Sequence, residues 1–78
     1  MKRVQILGTG CEKCRTLAEN ARKAVEETGV EAEIEKVEDI REIMKFGILM
    51  TPGLAIDGEV KAAGRVLSPE DIKKLLVS

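Results

Sequence analysis

The sequence contains no histidine, no tryptophan, no tyrosine and one aromatic residue, Phe46. Without histidine it lacks the commonest general base and the imidazole ligands of most zinc and haem sites. Without aromatics it lacks the stacking platforms used by single-strand nucleic-acid binders. Neither sign of charge dominates: 13 Lys and Arg stand against 14 Asp and Glu, a net charge of −1. Nucleic-acid binding needs a basic surface, so that class is set aside. No apolar run approaches the roughly 20 residues of a membrane span, and Ile48-Leu49-Met50 is a core fragment by comparison. Lys2 and Arg3 precede only the interrupted stretch Val4-Gln5-Ile6-Leu7, too short for a signal-peptide core. The expectation is a cytoplasmic chain with no membrane and no nucleic acid among its partners. Its 78 residues are read as one domain, residues 1–78. The 44% hydrophobic share suits a globular fold rather than a disordered chain.

Cysteine is scarce too, and its placing is informative. The only two are Cys11 and Cys14, in Cys11-Glu12-Lys13-Cys14. A disulfide across so small a loop constrains the unfolded chain little, so it is a poor staple. In a reducing compartment such a pair points to redox or metal chemistry rather than scaffold.

The chain carries no internal repeats, low-complexity tracts or linkers. Arg3–Leu7 reads as a strand, with Val4 and Ile6 on one face. Gly8-Thr9-Gly10 reads as a flexible approach to Cys11, because the rest of a nucleotide-loop pattern is missing. From about Cys11 to Thr28, Cys14, Leu17, Ala18, Ala21, Ala24 and Val25 form one helical stripe. Gly29 suits the position just past that helix. Val30–Glu35 alternates at period two. Its outward Glu31, Glu33 and Glu35 suggest a solvated row on an edge strand, not a metal site. Two strands flanking one helix make a βαβ unit with parallel pairing.

Asp39 is expected to cap a short helix with Ile40, Ile43 and Met44 inward, ended by Gly47. Gly53–Ile56 and Glu59–Ala63 are strands joined by Asp57-Gly58, a two-residue hairpin turn. The last helix has the clearest signal. Ser68 caps it, Pro69 opens it, Asp71 completes a capping-box-like pair, and Leu67 staples against Ile72, with Leu75 and Leu76 continuing the buried face. The order is β-α-β-α-β-β-α, an α/β fold. Met44 and Met50 read as core and site-rim packing. Ile48, Leu49 and Met50 read equally well as plain core or as an apolar landing patch.

Cys11 falls at a helix start, where free N–H groups and the positive dipole end favour a thiolate. Lys13 and Arg15 add cations nearby and Glu12 opposes them, so the net shift is not readable from sequence. Cys14, one turn in, is shielded yet close, and suited to attack a mixed disulfide formed at Cys11. Three readings of the pair stay open: dithiol–disulfide exchange, half of a metal site, or two buried thiols. The βαβ setting favours the first.

Several segments together carry a resemblance over nearly the whole chain. They are Gly10-Cys11-Glu12-Lys13-Cys14 after the first strand, Met50-Thr51-Pro52 before the hairpin, Ala55-Ile56-Asp57-Gly58 within it, and Gly64 before the last helix. With these, the chain resembles the small thioredoxin/glutaredoxin-like redox-active disulfide proteins. The resemblance implies a minimal thioredoxin fold, a four-stranded mixed sheet in the order 2-1-3-4 with helices on both faces. It implies thiol–disulfide oxidoreductase activity, with Cys11 as nucleophile and Cys14 as resolving thiol, and with Glu12 and Lys13 tuning them. It further implies a cis Pro52 beside the disulfide, where it keeps metal-coordinating geometry from forming. Thr51, Pro52, Gly10 and Met50 would then contact the substrate.

No metal and no cofactor beyond the Cys11–Cys14 disulfide are implied. The partners implied are disulfide-containing target proteins and a thioredoxin-reductase-like flavoprotein or a thiol pool, with the protein itself a monomer. Gly10 stands where larger thioredoxins carry tryptophan, and Gln5 where they carry a buried acid. The proton acceptor for Cys14 is then water or Glu12. Two rivals are a heavy-metal-associated carrier module and a thioredoxin-fold redox sensor. The carrier module also puts a Cys-x-x-Cys after its first strand, but it ends in a strand, not a capped helix.

Overall fold

The computed structural model describes residues 1–77. Its elements are β1 (Lys2–Leu7), α1 (Glu12–Thr28), β2 (Ala32–Val37), α2 (Ile40–Lys45), β3 (Gly53–Ile56), β4 (Glu59–Ala63) and α3 (Pro69–Val77). The sheet order is β2-β1-β3-β4. β1 pairs parallel with β2 and antiparallel with β3, and β3 pairs antiparallel with β4. This is the mixed sheet expected of a minimal thioredoxin fold.

β1 sends alternate side chains to opposite faces, and each face has its own helices. Val4 and Ile6 join Leu17, Ala18, Ala21 and Ala24 of α1 and Ile72 and Leu76 of α3 in one core cluster. On the other face Leu7 packs with Ile43 of α2, Ile48 and Ala55. Burying each large side chain of these clusters stabilises the fold by roughly 1.5–3 kcal/mol.

Helix ends follow their residues. Gly29 closes α1 at φ 70, its N–H bonded to Val25 O. Asp39 caps α2 by accepting from the Arg41 N–H at 2.8 Å. Ser68 Oγ accepts from the Asp71 N–H at 3.2 Å at the start of α3. Leu67 and Ile72, both buried, lie in one cluster. Asn20 Nδ2 donates to Leu67 O at 2.9 Å, and Lys73 pairs with Glu27, so α3 is tied to α1 by polar contacts as well. In the hairpin Asp57 and Gly58 both take positive φ, 51 and 85.

Two expectations need correction. The second strand runs over Ala32–Val37, not Val30–Glu35. Its extent is set by β1, with Lys2 paired to Ala32 and Leu7 to Val37. Val37 packs into the α2-side cluster, while Lys36 faces the opposite side and Glu35 is half-buried beside Gln5. The acidic row is therefore solvated only at Glu31 and Glu33. In α2, Ile43 alone is buried, while Ile40 and Met44 are 62% and 65% exposed. A six-residue helix has room for one inward position, and Phe46 and Ile48 beyond it complete the contact.

Candidate active site

β1, an inner strand, ends at Leu7 and α1 begins at Glu12, which puts the intervening loop at the end of the sheet where β1 terminates. Cys11 is the N-cap of α1, with extended backbone at φ −71 and ψ 167. Its C=O accepts the first helical bond from the Arg15 N–H at 3.1 Å. The Cys11 side chain is exposed, and Cys14, one turn on, is buried in the stripe that α1 turns to the sheet. The two sulfurs lie 2.8 Å apart.

This placement separates the two thiols chemically. The Cys11 thiol is held below its ordinary value, first by the hydrogen bond from the Cys14 thiol and then by the Cys14 backbone N–H, with the Lys13 N–H adding to both. Burial pushes the Cys14 thiol up, and sharing its proton with Cys11 raises it further. The shift at Cys11 thus comes from the partner sulfur and the helix-start amides. The cations Lys13 and Arg15, which looked relevant in the sequence, are not its source. The arrangement provides one accessible sulfur biased to thiolate and one shielded sulfur holding its proton within reach.

The remaining sequence candidates divide around this pair. Pro52 is buried, and its peptide bond with Thr51 is cis. Thr51 is exposed. Pro52 O accepts from the Gly64 N–H at 2.8 Å, and Met50 lies over Gly64, where an added Cβ would fall 3.1 Å from that of Met50. Met50 is 64% exposed and Leu49 is 99% exposed, whereas Ile48 is core. The run Ile48-Leu49-Met50 therefore splits between core and rim. Gly10, at φ +87, lies on the loop before Cys11. Glu12 and Lys13 are exposed in the first turn of α1.

Two residues escaped the sequence reading. Gly8 is buried rather than part of a flexible approach; an added Cβ would collide with Cys14 Sγ and fall 4.0 Å from Pro52 Cα. Gly8 is thus where Cys14 and Pro52 meet. The other is Glu38, just after β2. Its Oε2 lies 3.4 Å from the position of a Gly10 Cβ, and it lines a cavity with Cys14. No pattern in the sequence marks Glu38. Gln5 is buried; its Oε1 accepts from the hairpin Gly58 N–H at 2.9 Å and its Nε2 donates to Glu35 at 3.5 Å. It braces the turn and does not line the Cys14 cavity. Among the described residues no group of three or more potential metal ligands converges, and no helix is long and apolar enough to cross a membrane.

A mixed four-stranded sheet with helices on both faces and a dithiol at the start of α1 defines a thioredoxin-like redox protein. A family model described as thioredoxin domain matches residues 2–77. The chain is 51% identical over 76 residues to a thioredoxin of Methanothermobacter thermautotrophicus, covering 97% of this chain and 99% of that one. It is 47% identical over 75 residues to a thioredoxin of Methanocaldococcus jannaschii, covering 96% and 86%. The chain belongs to the thioredoxin family, a family of thiol–disulfide oxidoreductases.

Proposed function

We propose that this protein exchanges its Cys11–Cys14 dithiol with disulfides of target proteins or small molecules. The observation that carries the reading is the contrast between the two sulfurs. Cys11 is exposed with a lowered pKa, and Cys14 is buried 2.8 Å away with a raised one. The Cys11 thiolate attacks a target disulfide, forming a Cys11–target bond and releasing the other target sulfur as thiolate. Cys14 loses its proton and attacks Cys11 Sγ; the target leaves reduced and the Cys11–Cys14 disulfide remains. The target gains two electrons and the protein loses two. A flavoprotein of the thioredoxin-reductase kind, or a thiol pool, returns them.

No bound cofactor takes part in this scheme. Thr51 is exposed and precedes Pro52, which lies beside Cys14, and its backbone is proposed to pair with an extended target segment. Gly10 puts no side chain in the approach to Cys11, and Met50 with Leu49 supplies an apolar rim. The proposed compartment is the cytoplasm, where such a dithiol is kept reduced between turnovers.

The test is equilibration in graded dithiol/disulfide buffers, with alkylation of free thiols. Loss of both thiols in one two-electron transition, with turnover of a disulfide substrate, supports the reading. Failure to form the intramolecular disulfide, with stoichiometric Cu(I) or zinc binding in its place, overturns it. A Cys14→Ser variant should accumulate mixed disulfides at Cys11, identified by mass spectrometry; trapping through the other thiol in Cys11→Ser would reverse the roles.

A further inference from the structure

The exchange scheme needs an acceptor for the Cys14 proton, because a thiol attacks a disulfide only as thiolate. A cavity of about 160 Å³ adjoins Cys14, lined by Ile6, Gly10, Cys14, Arg15, Lys36 and Glu38. Glu38 is the one carboxylate of that lining. Its oxygens carry no hydrogen bond or ion pair among the described residues, although Arg15 of α1 and Lys36 of β2 share the cavity. Both Glu12 and Glu38 are exposed to solvent, but Glu12, the acceptor suggested by sequence proximity, does not line this cavity and Glu38 does. The Gln5 amide is committed to the hairpin on the other face of the sheet. The cavity is wide enough for water and has polar groups to hold it, so a proton can cross it along a short relay.

We propose that Glu38 accepts the Cys14 proton as Cys14 displaces the target from Cys11. This rests on the exchange reading and assigns it a general base. In the step, the Cys14 S–H bond breaks and its proton reaches a Glu38 carboxylate oxygen. The Cys14 electron pair forms the bond to Cys11 Sγ. The Cys11–target bond breaks, and the target sulfur leaves as thiolate with that bond's electron pair. Glu38 then returns the proton to solvent, and the leaving thiolate is protonated from solvent. The charged and titratable groups facing this path are Arg15 and Cys11 from the α1 segment and Lys36 from β2.

Reaction of the reduced protein with an aromatic disulfide that releases a coloured thiol separates the two steps. Attack by Cys11 releases one equivalent, and closure by Cys14 releases the second. Glu38→Gln is expected to slow the second phase tenfold or more, the order of a lost general base. Its rate should then climb about tenfold per pH unit below the thiol pKa, as solvent alone takes the proton. The first phase should stay within about twofold, since Cys11 is lowered by Cys14 and backbone amides. Glu38→Asp should keep the wild-type pH profile. Equal slowing of both phases, an unchanged second phase in Glu38→Gln, or slowing by Glu12→Gln in its place would overturn the assignment and leave exchange intact. A wild-type protein with no second phase would remove the exchange reading, and this one with it.

Discussion

Gly8 leaves open the space that the sulfur of Cys14 occupies. The last residue before the site loop is buried and lacks a side chain because a core thiol passes over it. Gly8→Ala sets a Cβ against Cys14 and within 4.0 Å of Pro52 Cα. The expected cost is about 1–3 kcal/mol of stability, typical of overpacking. Urea unfolding of the reduced protein measures it. The same variant should close its disulfide more slowly, because Cys14 must move away from Cys11.

The lowered pKa of Cys11 depends chiefly on the Cys14 thiol. Cys14→Ala removes that donor, so the alkylation profile of Cys11 should move to higher pH. The rate of iodoacetamide modification against pH reads it, and an unmoved profile would assign the effect to the amides instead. The linkage to stability has two opposing parts. For Cys11, lowered on folding, the contribution is present above the unfolded-state pKa and lost as pH falls through the lowered one. For Cys14, raised on folding, it is present below the unfolded-state pKa and lost as pH rises through the raised one. The reduced protein should therefore lose stability as pH rises from the unfolded-state thiol pKa towards the raised pKa of Cys14, a loss absent from Cys14→Ala.

Gln5 serves the hairpin and not the thiols. Gln5→Ala leaves the exposed Gly58 N–H to water, and the expected cost is about 0.5–1.5 kcal/mol. Denaturant unfolding measures that cost, while the Cys11 alkylation profile should coincide with wild type.

Leu54 and Leu49 are the same residue type at opposite extremes, 0% and 99% exposed. Leu54→Ala should destabilise by about 2–5 kcal/mol through the cavity it leaves. Leu49→Ala should change stability by no more than about 0.5 kcal/mol. Thermal melts of the two variants check the pair.

Elements announced by periodicity and capping were legible. The stripe from Cys14 to Ala24 and the Ser68-Pro69 start of α3 each repeat one signal several times. The dithiol at the helix start followed from the same pattern. Short or shared elements were not legible. α2 has too few residues for a periodicity to select Ile43 over Ile40 and Met44. The end of β2 depends on the length of β1, a property of the partner strand. Gly8 looked like slack because a glycine required by close packing reads the same as one in a free loop. Glu38 reaches the site only because the parallel pairing of β1 and β2 brings their C-terminal ends to the same end of the sheet.

Because Cys14 belongs to the core, oxidation and unfolding form one thermodynamic cycle. A disulfide at this pair must be housed by the same packing that holds α1 to the sheet. Whatever free energy separates the stabilities of the two redox forms also separates the potential of the folded couple from that of the unfolded chain. For a two-electron couple about 1.4 kcal/mol corresponds to about 30 mV. Unfolding each form in denaturant therefore measures how far folding moves the couple. By the same cycle, a substitution deep under α1, far from either sulfur, resets the oxidising strength whenever it weighs on one form more than the other.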